Sequence, residues 1–67
     1  QVYASVEGKR VIIVDDVYSS GRTMKKTVSD LEAAGAEVKM CIVLVNKSWD
    51  DDVEGVPLRA LIRAATV

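Results

Sequence analysis

The sequence predicts an α/β fold: a parallel, Rossmann-like sheet, present as a β-α-β-β segment. Three observations predict it. Val11 to Val14 is an uninterrupted apolar, mostly β-branched run, the composition of a strand in a sheet covered by helices. A stretch from about Arg22 to Ala34 carries apolar residues at helical spacing. A second run rich in Val, Ile and Leu follows, from Glu37 or Val38 to Val45, and strand–helix–strand with this connection makes a right-handed βαβ unit.

Each element has its own signal. Gln1 to Val6 reads as the tail of an earlier strand, and Gly8, Lys9 and Arg10 as a turn leading into the next. Val11 to Val14 is expected to be buried on both faces. Ser19-Ser20-Gly21 is a turn cluster. In the helix, Met24, Thr27, Val28, Leu31 and Ala34 share one face, while Lys25, Lys26, Ser29, Asp30 and Glu32 take much of the other. Gly35 stands where a left-handed C-terminal cap belongs. Asn46 to Gly55 reads as a solvated polar loop containing Trp49, Asp50, Asp51 and Asp52, and Pro57 suits the start of an edge strand, Leu58 to Ile62.

With 67 residues there is room for one domain, and a chain this short buries only about 60% of its unfolded surface. Staples are missing: Cys41 is a single cysteine, there is no His, and the carboxylates lack metal-cage spacing. The chain is therefore expected either to associate or to be part of something larger, and the second reading is favoured. Self-association into a homo-oligomer is expected through uncovered sheet edges. A formal charge of -1 gives no electrostatic footprint for nucleic acid, so no direct nucleic-acid contact is expected from this segment. The apolar run Cys41 to Val45 is far below the roughly 20 residues of a membrane span. No signal-peptide layout is present, and a lone Cys fits a reducing cytoplasm.

The chemistry gathers at the first strand-to-helix turn. Ligands of open α/β sheets bind beyond the carboxyl ends of the strands, where Asp15 and Asp16 are expected. Amide groups at a helix N-terminus are unpaired and the helix dipole is positive there. Gly21 allows close approach of a phosphate, and the Ser and Thr hydroxyls add donors. Donors for a phosphate beside acceptors for sugar hydroxyls describe a sugar-phosphate pocket. An Asp pair capping a turn, or Ser-Ser-Gly as a plain loop, would each be structural alone; their order on one element favours a site. The Gly-x-x-x-x-Gly-Lys-[Ser/Thr] and Gly-x-Gly-x-x-Gly phosphate motifs are both missing.

The run Val11-Ile12-Ile13-Val14-Asp15-Asp16-Val17-Tyr18-Ser19-Ser20-Gly21-Arg22-Thr23 resembles the phosphoribosyl pyrophosphate (PRPP) motif of type I phosphoribosyltransferases. Val6 to Arg10, Ala34 to Val38 and Gly55 to Arg63 extend the likeness to the orotate phosphoribosyltransferase branch, nearest the archaeal orotate phosphoribosyltransferase-like proteins. Some members of that group carry a helix-turn-helix domain and regulate transcription. The resemblance implies a phosphoribosyltransferase core, of which residues 1–67 look like the C-terminal part of a single domain. It implies that Asp15 and Asp16 bond the ribose hydroxyls and that Ser19, Ser20, Gly21, Arg22 and Thr23 wrap the 5′-phosphate. Mg²⁺ would arrive with PRPP, with no metal held directly by the chain. Tyr18 and Lys47 would stand on the base side, each also explicable as structural filler or solvated charge. Ser19 replaces the Asp usual in the 6-oxopurine branch, which argues against hypoxanthine or guanine.

The resemblance thus implies a parent phosphoribosyltransferase, a pentosyl transferase passing phosphoribosyl to an orotate-like nucleobase in pyrimidine nucleotide biosynthesis. The pyrophosphate loop, mobile catalytic loop and hood of such an enzyme are not recognisable, so the catalytic residues are unassigned and the segment alone is expected to be inactive. The alternative is a transcriptional regulator of the same fold using the pocket as an effector site. A receiver-type phosphoacceptor domain is a remote alternative, because Asp50 to Asp52 follow a loop rather than ending a strand.

Overall fold

The computed structural model describes residues 2–65, with side chains from position 8. Elements run β1 (Val2–Glu7), β2 (Arg10–Tyr18), α1 (Arg22–Ala33), β3 (Glu37–Asn46), β4 (Asp52–Val53) and β5 (Val56–Arg63). They form one sheet in the order β1-β2-β3-β5-β4. The inner pairs β2–β3 and β3–β5 are parallel; β1 joins β2 and β4 joins β5 antiparallel. The α/β fold with a mostly parallel sheet is therefore present.

β2 is longer than the apolar run predicts. Asp15, Val17 and Tyr18 pair with Val43, Val45 and Asn46, so the ladder with β3 carries the strand through the acidic pair. Pairing with a central strand overrides the low strand propensity of Asp. The expectation of burial on both faces is corrected. Ile13, Cys41 and Val43 are fully buried under α1, whereas Val14 on the other face of β2 is 39% exposed and Leu44 on that of β3 is 54% exposed. Helix and links cover one face only.

Helix α1 buries Met24 and Val28, with Leu31 packed at the core margin. Its amphipathic spacing gives this face, but Ala34 lies beyond it, exposed. The helix stops in a Schellman arrangement: Ala36 N–H donates to Leu31 O (2.9 Å) and Gly35 N–H to Glu32 O (3.0 Å), with Gly35 at φ 92°. Chain reversal there lets Glu37 N–H reach Lys9 O at 2.8 Å and starts β3 beside β2.

The segment after β3 is not a plain solvated loop. Val53 and Val56 are buried core residues, and they pair across Glu54-Gly55, both at positive φ. This two-residue hairpin turn places β4 against β5. Pro57 does not start an edge strand: β5 begins at Val56 and lies between β3 and β4, with Pro57 opposite Asp52. Among the described residues no helix is long and apolar enough to cross a membrane.

Candidate functional site

Where β2 gives way to α1, a cleft of about 150 Å³ opens, lined by Asp15, Val17, Ser19, Ser20, Gly21, Arg22, Thr23 and Met24. Most of the residues expected to bind a ribose phosphate are thus brought together. Whole small-molecule pockets usually measure about 300–1,000 Å³, so this cleft suits a phosphate and part of a sugar rather than a complete nucleotide.

The turn's geometry follows from Gly21. It is the N-terminal cap residue of α1 at φ 78°, a left-handed conformation, and its carbonyl accepts from Lys25 N–H at 2.8 Å. No side chain caps the helix through a hydrogen bond, and no acidic residue stands in the first turn. The Arg22 N–H has a 3.5 Å contact with Ser20 Oγ, at the long limit of a hydrogen bond. A helix start capped this weakly, with the positive end of the dipole facing the cleft, suits an anion.

The acidic pair divides between two environments. Asp15 lines the cleft, and its Oδ1 accepts from Asp16 N–H at 2.8 Å. Asp16 is exposed, outside the cleft lining, and its Oδ1 accepts from Val17 N–H at 2.8 Å. Hydrogen bonding with the Asp15 carboxyl, then the Val17 amide, holds the Asp16 carboxyl below the ordinary carboxylate range. Among the described residues no three His, Cys, Asp or Glu side chains converge as a metal cage.

Tyr18 and Lys47 are not part of the cleft lining. Tyr18 is 2% exposed and belongs to the core, so its ring presents no surface to a base. Lys47 is exposed, and its backbone N–H donates to Tyr18 O at 2.8 Å. Sequence reasoning missed Asp50, whose Oδ2 accepts from the Tyr18 hydroxyl at 2.8 Å. Neither composition nor spacing signals a pairing across 32 positions. A larger groove, about 390 Å³, lies at the other end of α1, lined by Gly8, Lys9, Val11, Leu31 and residues 34–36. It is mostly apolar and sits at the amino ends of the strands, away from the turn.

The phosphoribosyl transferase domain family matches residues 2–60. A protein of Thermoplasma acidophilum named Transcriptional regulator GfcR is 46% identical over 65 residues, covering 97% of this chain and 33% of its own. Proteins of the same name from Picrophilus torridus (43% identical; 97% of this chain, 33% of the relative) and Methanocaldococcus jannaschii (42%; 100% and 31%) are similar too. The chain spans about a third of the length of these curated relatives. No solved structure matches significantly.

These relatives correct several expectations. They are named as transcriptional regulators, not as enzymes of orotate or pyrimidine metabolism. The reading of a nucleobase phosphoribosyltransferase is overturned, and with it the nucleobase partner. The expectation of no direct nucleic-acid contact from this segment is withdrawn on the same finding. The misreading has a physical basis: the motif marks a fold and its strand-to-helix turn, and one fold hosts unrelated functions. The family itself stands, since strand, turn and helix coincide with the matched region: this chain belongs to the phosphoribosyl transferase domain family.

Proposed function

We propose that these residues are the ligand-binding part of a phosphoribosyltransferase-fold transcriptional regulator, which uses the β2–α1 turn as an effector site for PRPP or a closely related phosphoribosyl ligand. The observation that carries this reading is the convergence of Asp15 and Ser19 to Thr23 on one small cleft at a helix N-terminus. The names of the relatives support a regulator over an enzyme. Amide groups of the turn hold the 5′-phosphate, Asp15 and Asp16 accept from ribose hydroxyls, and Mg²⁺ accompanies the ligand on the ligand's own oxygens.

Residues 1–67 then correspond to the C-terminal part of a phosphoribosyltransferase domain, in a cytoplasmic protein.

Calorimetric titration with PRPP and Mg²⁺ tests the site. The Asp15→Asn/Asp16→Asn variant is expected to bind at least about tenfold more weakly, a loss of about 1.4 kcal/mol. Unchanged affinity refutes the assignment. Pyrophosphate release on adding orotate, uracil, adenine or xanthine would contradict the regulator reading.

A further inference from the structure

The site leaves one buried polar arrangement unused. Tyr18 ends β2, opposite Asn46 at the end of β3. Its ring lies in the core, yet its hydroxyl donates to Asp50 Oδ2 at 2.8 Å. The Asp50 backbone is itself held. Asn46, 1% exposed, donates through Nδ2 to Asp50 O at 2.9 Å, and its Oδ1 accepts from the Ser48 N–H and hydroxyl at 2.8 and 2.7 Å. Asp50 N–H donates to Ser48 Oγ at 3.0 Å. Arg63 adds bonds to Ser48 O (3.2 Å) and Asp50 O (3.4 Å), so the acceptor for Tyr18 is fixed from several sides.

The same hydroxyl stands directly beneath the phosphate turn. A Cβ built on Gly21 would come within 2.3 Å of Tyr18 Oη and 2.8 Å of Cζ. The ring is therefore the floor on which Gly21 rests, and Asp50 fixes how high that floor stands. Burial first, and the Asp50 bond second, raise the Tyr18 hydroxyl to a pKa of about 12, consistent with a neutral donor at every ordinary pH.

We propose that Tyr18 is a positioning residue for the phosphate turn, and that its bond to Asp50 couples ligand occupancy at Gly21 to the loop Asn46–Asp51. This rests on the effector-site reading above. A turn held in its binding conformation loses less freedom when the ligand arrives, which raises affinity. The coupled loop contains Trp49, the protein's single tryptophan, 68% exposed with the Arg63 guanidinium 5.8 Å from its ring. A change in the turn is thus reported one residue from Asp50.

The test titrates PRPP with Mg²⁺ into the 67-residue chain, reading heat and Trp49 emission together. Wild type is expected to bind with a change in emission. Tyr18→Phe keeps the ring and is expected to bind about fivefold to tenfold more weakly, the size of one lost hydrogen bond. At saturation its Trp49 emission should not respond. A role in stability alone would leave the emission change at saturation intact. Asp50→Asn, which keeps an acceptor, provides the comparison should Tyr18→Phe misfold; it is expected to show a smaller Trp49 response than wild type. Equal affinity and an equal Trp49 response in the folded variants overturn the coupling while leaving the site reading in place. A silent Trp49 in ligand-saturated wild type also overturns it. Failure of wild type to bind overturns the site reading, and the coupling with it.

Discussion

Replacing Gly21 by Ala isolates the packing between turn and ring, because the structure supplies its own control. Gly21 and Gly55 have almost the same φ, 78° and 79°. An added Cβ at Gly55 meets nothing within 4 Å, while at Gly21 it meets Tyr18 Oη at 2.3 Å. For an L-residue the left-handed conformation costs roughly 1–2 kcal/mol, part of which is offset because Ala restricts the unfolded chain. Gly55→Ala should therefore lose about 1 kcal/mol. At Gly21 the obstacle is the end of a side chain, which in open solvent would swing aside. Here the ring is 2% exposed and bonded to Asp50, so it must move against packed neighbours. Overpacking of that kind costs about 1–3 kcal/mol, and the displaced hydrogen bond about 1 more. Gly21→Ala should lose about 3–5 kcal/mol in all. Stabilities of about 0.05–0.15 kcal/mol per residue give a 67-residue chain only about 3–10 kcal/mol. That loss is between about a third and all of the stability available. Urea unfolding followed by circular dichroism measures both variants, with equal denaturant slopes confirming comparable end states. Equal midpoints for Gly21→Ala and Gly55→Ala would refute the claim that Tyr18 bears against the turn.

Three further outcomes follow from burial. Val43→Ala, on the covered face, should cost about 2–3 kcal/mol, whereas neighbouring Leu44→Ala should stay within about 0.5 kcal/mol; a large loss at Leu44 would mean that its face is covered. In a Tyr3→Phe background, the remaining tyrosinate absorbance should titrate near pH 12 instead of 10, since Tyr18 is raised to about 12. Its contribution to stability is complete below pH 10 and lost as pH rises from 10 to about 12. Cys41, fully buried and raised to about 11 by that burial, should resist alkylation at neutral pH until the chain unfolds; its contribution is lost between pH 9 and about 11.

Local rules located the helix, its glycine stop and the parallel pairing, because spacing, Gly35 and β-branched runs each act within a few residues. The cleft was legible for the same reason: Ser19 to Thr23 are contiguous, and only Asp15 must reach them. What stayed hidden depends on distant partners. The extension of β2 through Asp15 to Tyr18 needs the ladder with Val43 to Asn46. The Tyr18–Asp50 bond needs a link between strands that folds back over the core. The hairpin at Glu54-Gly55 had a signal, a glycine turn between Val53 and Val56, but three preceding Asp made the segment look solvated. The enzyme reading failed differently, since one fold can serve catalysis or sensing and the motif does not distinguish them.

Amide chemical-shift mapping with PRPP and Mg²⁺ on the 67-residue chain tests the central claim most directly. The largest shifts should fall on Ser20, Gly21, Arg22 and Thr23, with smaller ones at Asp15 and Asp16, and none around Gly8, Leu31 and Gly35. Shifts centred on the groove at Gly8 and Gly35, or no saturable shifts at the turn, would contradict it.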